Sequence, residues 1–251
     1  MLTAERVVQA LAPRPVQYYD QVDSTNEVAL RWLHAGAVSG SAVIADEQTR
    51  GRGRLGRVWH TPSGEALAVS VVLRPPLQHL YQITMVGTLA VVDLLASVGL
   101  AEVGVKWPND VQIRGRKVSG ILSEAAWRGE HLEGVVLGIG VNVRVRFEGM
   151  ELASLATSIE AELGRGVDRL ALLATLLQAV DRWYGQLASG QVFSAWSRRL
   201  TTLGQAVALE GGSLRGVAEA VDEQGGLLVR LPDGQQRRVL AGDITFPADR
   251  R

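Results

Sequence analysis

Residues 103–122 read VGVKWPNDVQIRGRKVSGIL. Short β-prone runs stand on both sides of Arg114-Gly115-Arg116, a tripeptide suited to a tight hairpin tip. With the apolar stretch that follows, the pattern predicts an antiparallel meander: Val103–Lys106, Val111–Arg114, Lys117–Glu124 and Glu133–Val143. Pairing across the tip brings Asp110 and Lys117 close together on neighbouring strands.

Working outward, Val16–Tyr19 reads as a short strand, and Asp23-Ser24-Thr25-Asn26-Glu27 opens a helix running to about His34. Ser24 or Asp23 caps it, and Glu27 completes a capping box with Ser24. Ala42–Ala45 and Leu67–Leu73 are strand-like, and Pro75-Pro76 ends the second because proline has no N–H to donate. Residues 83–101 are apolar enough to suggest a membrane span, but Asp93, two Thr and two Gly interrupt them. A buried helix over about 78–98 is the expectation, followed by helices over 168–188 and 191–203. From Gln205 the grain changes to short β-prone runs, Ala206–Leu209, Leu214–Val221, Leu227–Leu231 and Gln236–Leu240, separated by Gly-Gly, Gly-Gly and Pro-Asp-Gly turns. That spacing predicts a small antiparallel barrel and a domain boundary near 204, dividing the chain into 1–204 and 205–251.

Composition narrows the chemistry. The 251 residues hold 26 basic and 26 acidic side chains, so no global charge favours nucleic acid or an anionic membrane. Without cysteine there are no disulfides, thiol nucleophiles or Cys-containing zinc sites, and the four His are isolated. The N-terminal stretch lacks an export signal, which points to the cytoplasm. Only two of the 26 cations are Lys, Lys106 and Lys117, so 24 are Arg. A lysine on a strand is ordinarily a solvated edge residue. Here Arg fills that role elsewhere, and a compact ammonium suits a place between two oxyanions better than a broad guanidinium fork. The three Asn residues, Asn26, Asn109 and Asn142, are equally sparse.

Residues 50–58 concentrate four Arg and three Gly in nine positions. Gly51-Arg52-Gly53-Arg54-Leu55-Gly56 matches G-x-G-x-x-G, yet Trp59–Gly64 supplies no helix for a dinucleotide fold, and no kinase motifs follow. What remains is a flexible backbone that allows close approach, carrying planar donors for phosphate or carboxylate. Its cations repel one another, so the loop is expected to stay unsettled until an anion neutralises it. A merely solvated arginine-rich loop is the alternative.

Together these segments resemble biotin protein ligases. Asp23-Ser24-Thr25-Asn26, Gly51–Arg57, Trp59, Lys106–Asp110 (KWPND), Lys117-x-x-Gly120-Ile121-Leu122 and Gly138–Asn142 occur in the family's order over about residues 20–145. The resemblance implies an α+β fold: a mixed sheet with helices akin to class II aminoacyl-tRNA synthetases, plus a small SH3-like C-terminal barrel. It implies ATP-dependent activation of biotin to biotinyl-5′-AMP, then transfer to a lysine of a biotin carboxyl carrier domain. By the same resemblance, Lys117, Arg54 and Asp110 are the catalytic set. Ser24, Thr25, Asn26, Gln48, Gly51, Arg52, Gly53, Arg54, Lys117 and Gly120 hold biotin. Arg52, Arg54, Arg57, Trp59, Lys106, Asn109, Lys117 and Asn142 hold ATP or the adenylate, and Mg2+ arrives with the nucleotide. Asp110 either orients Lys117 or assists the incoming amine, and Trp59 and Trp107 serve packing or ligand contact. About 15 residues before the first strand are too few for the winged helix of repressor-type relatives, so DNA binding is not expected. Neither is membrane association, and a homodimer is left open. A lipoate ligase is the nearest enzymatic alternative, and a peptide-binding adaptor built on the tail is disfavoured because Phe246 is its only candidate aromatic.

Overall fold

The computed structural model describes residues 2–150, 152–209 and 214–246. After α1 (Ala4–Leu11), β1 (Val16–Val22) leads through α2 (Thr25–His34) into β2 (Ala42–Gln48) and β3 (Ala66–Leu73). Next come α3 (Gln82–Ser97), β4 (Val103–Lys106), β5 (Asp110–Ile113), β6 (Arg116–Arg128) and β7 (His131–Asn142). The helices α4 (Ile159–Leu163), α5 (Arg169–Tyr184) and α6 (Gln191–Ser197) precede β8 (Ala206–Leu209), β9 (Arg215–Val221), β10 (Leu227–Arg230), β11 (Gln236–Val239) and β12 (Ile244–Thr245).

The first seven strands form one mixed sheet in the order β1-β2-β3-β7-β6-β5-β4. Only β1 and β2 run parallel, because the intervening α2 returns the chain to the same end. The predicted meander is present. Its first hairpin turns through Arg114 and Gly115, both at positive φ, the geometry that two-residue hairpins favour. The helix expected from residue 78 begins at Gln82, and the one expected to reach 203 stops at Ser197.

The two sheet faces differ. Leu67, Val69, Val71 and Leu73 of β3 pack with α3 and α5 in the main core. Because α3 is covered by the sheet and by α5, it is apolar almost all round. On the opposite face α2 sets Val28, Ala29 and Leu33 over Val72 and Val136. Past the N-terminus of α2 that face loses its bulk: Ser70 pairs with Gly138, Ala68 with Gly140, and Gly120 with Gly140. Large apolar groups under the helix thus give way to Ser, Ala and Gly beyond it, leaving a hollow.

The tail forms a separate antiparallel sheet, β11-β10-β9-β8-β12. Its fifth strand, Ile244–Thr245, was not anticipated, since two residues carry no readable alternation. The first predicted Gly-Gly turn, Gly211-Gly212, lies outside the described residues. Trp107 ties this sheet to the first one. Its amide donates to Thr202 Oγ1 at 2.9 Å and its indole Nε1 to the Gly225 carbonyl at 2.8 Å, so it serves packing. Among the described residues no helix is long and apolar enough to cross a membrane.

Candidate active site

The hollow is a cleft whose lining includes Ser24, Thr25, Asn26, Gln48, Arg52, Gly53, Arg54, Arg57, Trp59, Asn109, Asp110, Lys117 and Gly120. Eight segments of sequence converge there. Gly51, Lys106 and Asn142, also expected to touch ligand, lie outside it.

One end is a cluster of uncharged side chains largely bonded to one another. Gln48 Oε1 accepts from the Thr25 amide at 2.9 Å and its hydroxyl at 3.1 Å, while Gln48 Nε2 donates to Thr61 Oγ1 at 3.1 Å. Ser70 Oγ lies 2.7 Å from Thr25 Oγ1 and donates to Asn26 Oδ1 at 2.6 Å. Asn26 Nδ2 in turn donates to Glu124 Oε2 at 2.7 Å. The predicted capping box is not formed. Ser24 occupies the N-cap position without a side-chain cap bond, and Gln48 from a neighbouring strand satisfies the first helical amide instead. Asn26 fits because residue 138 is glycine: a Cβ there would stand 2.2 Å from Asn26 Oδ1.

At the other end stands the Arg-Gly loop. Its backbone folds on itself, with Gly53 N–H on the Arg57 carbonyl at 2.7 Å and Trp59 N–H on that of Gly51 at 2.8 Å. Gly51 is therefore structural, since a Cβ would lie 2.2 Å from the Trp59 carbonyl oxygen. Each guanidinium has a carboxylate nearby. Arg50 lies 3.9 Å from Asp23, Arg52 pairs with Glu124 and lies 3.7 Å from Glu27, and Arg57 pairs with Asp243 of the C-terminal sheet. Arg54 donates to Asn109 Oδ1 at 3.0 Å. Burial pulls its pKa below the usual guanidinium value, against the attraction of Asp243 and Asp110. The loop was expected to wait for an external anion, but these carboxylates come from within the chain.

Lys117 lines the same cleft, its Nζ 2.7 Å from Asp110 Oδ1. The predicted proximity holds through a detail the sequence hid. A register shift between Val111 and Gln112 sets Asp110 opposite Gly120 and Gln112 opposite Lys117, so the ion pair is diagonal. The Trp59 ring lies 5.5 Å from Lys117 Nζ and fills the space above Gly140, where a Cβ would come within 2.3 Å of it. Trp59 Nε1 is buried with no hydrogen-bond partner among the described residues.

The three predicted residues outside the cleft act on its frame. Lys106 pairs with Asp110 across β4 and β5, and its Nζ lies 5.0 Å from the Phe246 ring centroid. Asn142 donates to the Thr157 carbonyl at 3.1 Å, while Lys117 exchanges backbone bonds with Leu155 and Thr157. Asn142 thus steadies the segment beside Lys117 rather than facing the cleft. Missed in the sequence were Ser70, Glu124 and Asp243. A serine inside ALAVSVVL is the one readable hint among them, because a buried hydroxyl needs a partner. Among the described residues no group of three His, Cys, Asp or Glu side chains is placed to hold a metal ion.

The profile described as the Biotin/lipoate A/B protein ligase family matches residues 18–142, and that of the biotin protein ligase C-terminal domain matches 202–246. A biotin–[acetyl-CoA-carboxylase] ligase of Paracoccus denitrificans is 38% identical over 229 residues, covering 86% of this chain and 94% of the relative. The chain belongs to the biotin protein ligase family. The bifunctional ligase/repressor BirA of Bacillus subtilis is 32% identical over 237 residues, covering 90% of this ligase and 72% of its own length. The structure of biotin protein ligase from Aquifex aeolicus, in complex with biotin and ATP, superposes with a TM-score of 0.78. That pair is 29% identical, with 92% of this ligase and 97% of the other chain covered. The site described above therefore belongs to a biotin ligase enzyme.

Proposed function

We propose that this ligase joins biotin to a protein lysine in two steps, using MgATP as the co-substrate. In the first, a biotin carboxylate oxygen attacks the α-phosphorus of ATP, the bond to the β-phosphate oxygen breaks, and pyrophosphate leaves. In the second, a lysine amine of a biotin carboxyl carrier domain attacks the acyl carbon. An amide forms, AMP departs with the bridging oxygen, and the amine loses a proton.

The observation that carries this reading is Lys117, an ammonium in one cleft with a cluster of uncharged polar side chains and the loop arginines. The neutral end suits an uncharged ureido head, for which Ser24, Thr25 and Gln48 supply donors and acceptors. The cationic end suits a nucleotide, with Arg52, Arg54 and Arg57 over it and Asn109 beside it. Two anions must meet for the first step, and a fixed point charge between carboxylate and α-phosphate lowers that cost. Asp110 holds Lys117 in place. The mixed anhydride hydrolyses readily, so an Arg-Gly loop laid over it keeps water out.

We read the catalytic unit as residues 1–204, with a class II synthetase-like sheet, and residues 205–251 as an SH3-like unit. Catalysis is assigned to the cytoplasm, where carrier domains and ATP are available. Incubation with ATP and either biotin or lipoate, with the acyl-adenylate followed by mass spectrometry, tests the substrate. Biotinyl-AMP is expected, and lipoyl-AMP in its place would overturn the assignment.

A further inference from the structure

We propose that Asp243 is a positioning residue that holds Arg57, and through it the Arg-Gly loop, in a pre-closed state until incoming triphosphate takes the guanidinium over. The inference rests on the ligase reading above.

Three observations support it. Asp243 comes from the C-terminal sheet, between β11 and β12, yet it lines the same cleft as Arg54 and Arg57. Its carboxylate forms an ion pair with Arg57 and also attracts the part-buried Arg54 guanidinium. Arg50 and Arg52 find their carboxylates on the first sheet or around α2, whereas the Arg57 pair reaches across to the tail. Arg57 has contacts beyond this pair, but Asp243 is the anion that nucleotide phosphates would meet.

A phosphate chain entering the cationic end brings negative charge up to the Asp243 carboxylate. Two anions then compete for one guanidinium, and like charges at short range repel strongly where solvent is partly excluded. The ion pair is half exposed on the Arg57 side, so it breaks without a large desolvation barrier. Arg57 moves from carboxylate to phosphate oxygen, the loop stays covered by an anion in both states, and Asp243 is released. The C-terminal sheet thereby registers whether nucleotide is present, a role distinct from the Trp107 and Lys106 contacts that hold it in place.

Asp243→Asn keeps the shape of the side chain and removes its charge. Limited trypsin digestion of the full chain without ligands reads the latch, since the loop carries four arginines. Cleavage within 50–58 should be several-fold faster in D243N than in the wild type, with cleavage elsewhere unchanged as the control for folding. Asp243→Glu should restore protection. In biotin-dependent ATP–pyrophosphate exchange, the KM for ATP should fall several-fold in D243N while the KM for biotin stays put. Equal loop cleavage in the two proteins, or a raised KM for ATP, would overturn the proposal. If wild-type protein shows no exchange at all, the ligase reading fails, and the digestion still decides the latch.

Discussion

The two ends of the cleft solve opposite problems with different chemistry. At the α2 end, Gln48, Thr25, Ser70 and Asn26 bond one another in a neutral, buried chain, with Thr25 3%, Asn26 5% and Ser70 0% exposed. At the loop end, guanidiniums are matched to carboxylates, most of them part-exposed. A buried neutral network is costly to leave half-made, so it is rigid before any ligand arrives. Surface ion pairs contribute little each and exchange partners readily. The first end recognises by shape and hydrogen bonding, and the second by exchanging anions.

Lys117 lines the same cleft as both, and Lys117→Arg should do the most damage. Biotinyl-AMP formation should drop by about 100-fold or more, the scale of losing a transition-state donor, with thermal stability nearly unchanged. A wild-type rate of adenylate formation would break the point-charge argument. Gly138→Ala attacks the uncharged end first. Its Cβ falls on Asn26 Oδ1, and overpacking of about 1–3 kcal/mol should appear as a lower Tm together with a raised KM for biotin. Ser70→Ala removes one donor without adding bulk, leaving Asn26 Oδ1 short of a partner at about 1–3 kcal/mol in denaturant unfolding. Salt sharpens the contrast further: raising ionic strength should weaken the KM for ATP several-fold and barely move that for biotin. Equal responses would erase the distinction between the ends.

The smallest effect concerns acid. Burial pushes the Asp46 carboxyl up, but hydrogen bonds from Ser63, Arg169 and the Gly64 amide outweigh it and hold the pKa below the usual carboxylate value. Its folded-state pKa being depressed, Asp46 contributes stability that is complete above the unfolded pKa of about 4 and is lost as pH falls through the lower folded value. Unfolding midpoints measured between pH 5 and pH 2 should decline on that limb. In Asp46→Asn, which lacks the titration, the decline should be shallower.

Much of the site was legible because its residues are rare or locally patterned. The two lysines and the glycine-spaced arginines stand out against the background composition, and the Arg114-Gly115 turn puts Asp110 and Lys117 on neighbouring strands, though not the register shift that sets their diagonal contact. What escaped depends on distant partners. Gln48 displaced the capping box, an exchange visible only once β2 lies beside α2. Glu124 and Asp243 are ordinary surface acids in sequence, and nothing local marks them as partners of Arg52 and Arg57. Asn142 shares the face of Gly138 and Gly140 by strand alternation, but it is the last residue of β7 and donates to the Thr157 carbonyl instead of lining the cleft.

The long β6–β7 ladder carries both Gly120 and Gly138, and it lies between β3 and β5 with no free edge. Backbone amides in such a central pair open only when the whole domain unfolds, so in hydrogen exchange the floor of the cleft should be among the last segments to take up deuterium. Ligands can slow that exchange only by stabilising the protein globally, through mass action. Any protection that appears locally and early must therefore come from the Arg-Gly loop and the sheet that touches it.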